Sequence, residues 1–135
     1  MKYLLDVNAL VALGFIHHEF HDRMAGWVRA QQFPPLATCS ITELGFVRVL
    51  AQASDYGLTV AQARTLLLRL KKAAALPLAF IADSHDISHL PSWVKTPKQT
   101  TDGHLAQLAS ANDAVLATLD ERIPGAYLIP QSRIG

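Results

Sequence analysis

Four of the chain's 11 acidic residues, Asp6, Glu43, Asp102 and Asp120, fall where a strand gives way to a turn or helix, or in a helix's first turn. If the fold gathers them on one rim, they form an all-oxygen cluster. Carboxylates brought close repel one another and hold their protons more tightly unless a cation joins them, so such a cluster calls for a hard divalent ion. Magnesium and manganese suit oxygen ligands and leave room for water and a substrate phosphate. The chemistry within reach is attack of metal-activated water on a phosphodiester, with no covalent change to the protein. Any of the carboxylates could position that water.

Each acid also has a plainer reading. Asp6 and Asn8 can form turn and cap hydrogen bonds, and Ser40-Ile-Thr-Glu43 has the spacing of a capping box. Asp102 complements a helix dipole, and Asp120 resembles a solvated turn residue before Glu121 and Arg122. Their joint placement favours the site. The histidines add little. His17, His18 and His21 occupy a polar helix start without a zinc-binding spacing, and His85 and His89 read as loop groups. His104 is near enough to Asp102 to line a site. Arg48, Lys95, Lys98 and Arg122 are second-rank candidates for phosphate contact.

The elements that must position these residues can be read in order. The apolar run Tyr3–Leu5 predicts a buried first strand, central in its sheet, that hands over at Asp6 to a short helix from Asn8 to Phe15. An amphipathic helix with Met24, Trp27 and Val28 inward ends at Phe33-Pro-Pro35. Leu36–Cys39 is a second strand, followed by a helix from Ser40 with Ile41, Leu44, Val47 and Leu50 on its apolar positions. Thr59 caps a helix from Val60 to about Ala75, with Leu66, Leu67 and Leu70 inward and Arg64, Arg69, Lys71 and Lys72 outward. Leu78–Ala82 is a third strand. After a long polar connection, Asp83–Gln99, Thr101 caps a helix from Asp102 to Ala111. Ala114–Thr118 is the clearest strand, and Tyr127–Ile129 a short last one.

This alternation predicts an α/β fold: a central, mostly parallel sheet of four to five short strands with helices on both faces, joined by right-handed crossovers. Strand ends at Asp6 and Thr118 and helix starts at Ser40 and Thr101 then share one edge. At 135 residues the chain is expected to be one domain, 1–135. A formal charge of +1 gives no global field that announces nucleic acid or membrane. Half of the residues are hydrophobic and mean hydropathy is +0.19, so some apolar surface is available for a partner. The lone Cys39 excludes an intramolecular disulfide and a cysteine-based zinc cluster. Asp6 and Asn8 interrupt the first apolar stretch, which makes a poor signal peptide, and no run is long enough to span a bilayer. A cytoplasmic location is expected.

Four short motifs in order, Leu5-Asp6-Val-Asn8, Ser40-x-Thr42-Glu43, Thr101-Asp102-x-x-Leu-Ala106 and Ala117-Thr118-Leu-Asp120, resemble the PIN domain. The likeness is in particular to VapC-type toxins of bacterial toxin-antitoxin pairs, and it covers nearly the whole chain. His17–Val28 also resembles the second helix of one VapC subgroup. The resemblance implies a Mg²⁺- or Mn²⁺-dependent endoribonuclease acting on RNA such as tRNA or rRNA. It further implies a homodimer, inhibited by a VapB-type antitoxin. Carried over by position, Asp6, Glu43 and Asp102 match the family's principal acids, and Asp120 the more variable fourth. Asn8, Ser40 and Thr118 match the supporting polar residues. Two other functions compete. A haloacid-dehalogenase-like phosphatase would use Asp6 as nucleophile and Ser40 or Thr38 to bind phosphate, but Asn8 stands where its second aspartate is needed. A module that binds RNA or a partner without cutting is the other.

Overall fold

Residues 1–131 are described by a computed structural model. In β1 (Lys2–Leu5), Leu4 and Leu5 are both fully buried although adjacent strand residues face opposite sides. Such a strand is covered on both faces. β2 (Leu36–Thr38) is buried throughout, β4 (Ala114–Thr118) flanks β1 on its other side, and β3 (Leu78–Phe80) and β5 (Tyr127–Leu128) form the edges. The order is β3-β2-β1-β4-β5 and every pairing is parallel, so β1 is central, as predicted.

The two core layers are unequal. Leu5, Leu36 and Ala117 face α1 (Val7–Gly14), α2 (His21–Ala30), α3 (Ser40–Gln52) and α4 (Val60–Lys72). Leu4, Ala37 and Leu116 face α5 (Thr100–Ala111) through Leu105, Leu108 and Ala109. Helices therefore lie on both faces. Among the described residues no helix is long and apolar enough to cross a membrane.

Several local expectations need correction. The helix predicted to bury Leu44 and Val47 turns a different face inward: Thr42, Gly45, Phe46 and Leu50 are buried, whereas Leu44 is 69% exposed. The cause is visible at Gly45. A Cβ there would lie 2.4 Å from Val7 Cγ2, so the missing side chain lets α3 press onto the start of α1, and that contact fixes the rotation of the helix. The capping box is also displaced by one residue. Cys39 is the cap, its N–H donating to the Thr42 hydroxyl at 3.0 Å, while Ser40 is exposed in the first turn and Glu43 is released from capping.

Thr101 does not cap α5, which begins at Thr100 after a 3₁₀ turn, Pro97–Gln99. β2 ends at Thr38, β3 at Phe80, β5 at Leu128 and α4 at Lys72, each short of the predicted limit. The long connection before α5 carries a second 3₁₀ turn, Ile87–His89, and packs Trp93 against the smaller core layer. Between β4 and β5 the chain crosses over through Leu119–Ala126 without a helix, which leaves Asp120 and Arg122 on a tight turn at the rim.

Candidate active site

Asp6 follows β1 and caps α1. Its Oδ1 accepts the Ala9 N–H at 2.8 Å, and its Oδ2 accepts the hydroxyl of Thr118, the last residue of β4, at 2.5 Å. The cap predicted for Asp6 is thus real, and it also fixes the carboxylate. Only 6% of Asp6 is exposed. Burial pushes its pKa up to about 6 against the two hydrogen bonds, and the charges of Asp102 and Asp120 add to the rise. A buried acid destabilised in its charged form by two neighbouring acids is a site that lacks a positive charge.

Asp102, in the first turn of α5, is raised as well, by burial and then by Asp120, with Arg122 opposing. Close packing sets its position: a Cβ on Gly103 would lie 2.3 Å from Val94, so the preceding connection lies directly against this turn. Asp120 is joined to Asp6 through Thr118, whose hydroxyl oxygen accepts the Asp120 N–H at 2.9 Å. Arg122 grips both Asp120 oxygens at 3.0 Å each and holds that carboxyl below the usual range.

Glu43 stands one strand away, in the first turn of α3. Its Oε2 accepts the Thr38 hydroxyl at 2.6 Å and pairs with Lys71 Nζ at 2.6 Å. Asp6, Asp102 and Asp120 therefore share one field, and Glu43 on the same sheet edge is engaged separately. Among the described residues no three Asp, Glu, His or Cys side chains are gathered closely enough to enclose an ion as they stand. The donor chemistry nevertheless fits a hard divalent ion. Among the described residues no cation is paired directly to Asp6 or Asp102, and Lys71 and Arg122 occupy the two acids on either side.

The supporting residues divide. Thr118 is buried and binds Asp6, whereas Asn8 is exposed and Ser40 touches none of the acids by a hydrogen bond. His104 pairs with Asp83 at 2.5 Å and ties the connection to α5, so the expectation that it lines the Asp102 site does not hold. His21 Nδ1 donates to the Ala12 carbonyl at 2.7 Å, a structural contact. Lys71, on the polar face of α4 and expected outward, reaches Glu43 and lies 5.3 Å from the Phe80 ring centre. Its position in the last turn, level with a strand end, is the only signal for this in the sequence. Thr38 has a clearer signal. It ends β2 as Thr118 ends β4, one hydroxyl beneath each acid.

Residues 3–127 match the family model described as the PIN domain. The chain belongs to the PIN-domain family. Similar proteins include Ribonuclease VapC44 of Mycobacterium tuberculosis, 38% identical over 91% of this chain and 89% of that protein. Ribonuclease VapC38 of the same organism is 36% identical over 96% and 91%. Among solved structures, VapC20 of M. tuberculosis, a sarcin-ricin loop cleaving toxin, superimposes with a TM-score of 0.65 at 9% identity, covering 96% of this chain and 99% of that one. VapBC2 from Rickettsia felis, bound to a DNA fragment from its promoter, matches with a TM-score of 0.63 at 18% identity over 98% and 100%. Those two likenesses concern the fold. For this PIN domain they agree with the all-parallel sheet, and family membership displaces the phosphatase alternative.

Proposed function

We propose that this PIN-domain protein is an endoribonuclease, the toxin of a type II toxin-antitoxin pair, that hydrolyses RNA phosphodiesters with Mg²⁺ or Mn²⁺. The observation that carries the reading is the buried Asp6 carboxylate, raised to about 6 and sharing its field with Asp102 and Asp120 from two other elements. The ribonuclease relatives support it. Asp6 and Asp102 would hold the ion, with Glu43 and Asp120 as flanking ligands. When bound, the ion supplies a polarised water and stabilises charge on the phosphate.

The chain's own groups prepare that place. Thr118 and the Ala9 N–H fix the Asp6 carboxylate, so its orientation does not have to be organised during the reaction. Thr38 fixes Glu43 in the same way. Lys71 and Arg122 neutralise the outer acids and supply cations to phosphates of a bound strand. Substrates are structured RNAs such as tRNA or rRNA, and the work is done in the cytoplasm by a homodimer.

Control falls to a VapB-type antitoxin. Exposed Leu44, Val60, Leu68 and Phe80 surround a cleft of about 740 Å³ between α3 and α4 that also reaches Ser40 and Glu43. Such a patch beside an acid cluster is where an apolar helix of that partner would seat. The deciding experiment is RNA cleavage by purified protein with Mn²⁺ or Mg²⁺. Cleavage stopped by EDTA and abolished in folded Asp102→Asn is expected. RNA binding without any product indicates a non-catalytic module, and full activity in Asp102→Asn refutes the assignment.

A further inference from the structure

A cleft of about 530 Å³ opens beside the acid cluster, between the turn that joins α1 to α2 and the turn that joins β4 to β5. His18 and Phe20 line one wall, Asp120 and Arg122 the other. We infer that this cleft is a nucleotide subsite, in which Phe20 and His18 receive a base of the RNA strand while Arg122 holds the adjoining phosphate. The inference rests on the ribonuclease reading and names which part of the chain would read the substrate.

Phe20 is 40% exposed in a cleft otherwise rich in polar groups. Its ring lies 5.8 Å from that of His18, and the Arg23 guanidinium sits 5.9 Å from its centre. Arg23 is anchored in turn by hydrogen bonds to the Ile129 carbonyl, so the aromatic ring rests on a fixed support. His18 is fixed too. Its Nδ1 accepts the Phe20 N–H at 3.0 Å, which leaves Nε2 to carry the ring proton as a donor, and burial lowers the pKa of the ring. An exposed aromatic face beside a donor of set tautomer is suited to stacking a base and bonding its edge.

Arg122 provides the complementary group. Its side chain is 85% exposed, yet both ends of the fork are held by Asp120, which orients the guanidinium toward the space shared with the acids. Glu19 and Glu121 line the same cleft and disfavour a second phosphate there. A base, with its own donors and acceptors, is the group that fits.

The test compares wild type, Phe20→Ala and Phe20→Trp on a short stem-loop RNA carrying a cut site mapped with the wild-type protein. Loss of one stacked base should raise KM roughly 5- to 150-fold in Phe20→Ala, with a much smaller effect on kcat. Phe20→Trp should restore KM. If Phe20→Ala keeps the wild-type KM and cut site while Asp102→Asn is inactive, the subsite is refuted and the ribonuclease stands. If wild type cuts no RNA, the ribonuclease reading fails, and NMR titration of metal-free protein with nucleoside 5′-monophosphates decides the subsite. Saturable shifts of the His18 and Phe20 ring protons, lost in Phe20→Ala, support it; unmoved rings refute it.

Discussion

Asp6 has two attachments, to Thr118 and to the Ala9 N–H, and two acidic neighbours that oppose its charge. In the unfolded chain it titrates near its ordinary 3.8, in the fold near about 6. Between those values the folded state binds more protons than the unfolded one, so this group's contribution falls as pH rises through about 6. Below pH 4 it is fully present. In EDTA, Asp6→Asn should therefore unfold at higher urea than wild type at pH 7.5, with a gain on the order of 2–3 kcal/mol relative to the comparison at pH 4. A difference that does not change with pH would show that the charge of Asp6 carries no such penalty. The acids themselves were legible at this scale, because each lies beside an abrupt change of hydrophobic pattern. Their counter-ions were not: Arg122 was only one of several scattered cations, and Lys71 lies on a helix face that periodicity marks as solvated.

The elements bring those side chains together by close backbone approach. Gly45 lets α3 press on Val7, next to Asp6, and Gly103 lets the connection before α5 lie against the turn that carries Asp102. Gly45→Ala should cost about 1–3 kcal/mol of stability in thermal or urea unfolding, because the added methyl meets a β-branched side chain. Val7→Ala in the same chain should restore most of it; if it does not, the contact is not what limits the packing. Alternation of strands and helices made the parallel sheet and its central first strand readable from the sequence. The rotation of α3 was not readable. Leu44 and Val47 have the spacing of a buried stripe, and only the partner helix decides that the Gly45 face is the one turned inward. The caps at Asp6 and Thr59 form as expected, but two others do not for a related reason, since Ser40 and Thr101 are good capping residues at positions where Cys39 and a preceding 3₁₀ turn already satisfy the helix.

The whole molecule carries a net charge of +1, so an RNA strand must be attracted by a local arrangement of cations rather than by a general field. Its apolar residues are not all used internally: Leu44, Val60, Leu68 and Phe80 stay exposed around one cleft. Leu68→Glu, far from the acids in sequence, should abolish co-purification with a co-expressed antitoxin while cleavage of RNA continues. Retention of the partner would place its helix elsewhere. The family resemblance was legible because the motifs occur in the right order, whereas the location of a partner's surface depended on which helix faces the fold left uncovered. The proposed sharing of one cation by acids from separate elements can be read from a crystal soaked in Mn²⁺. An anomalous-difference peak about 2.1 Å from oxygens of both Asp6 and Asp102 is expected. A saturated crystal with no peak between those two residues would contradict it.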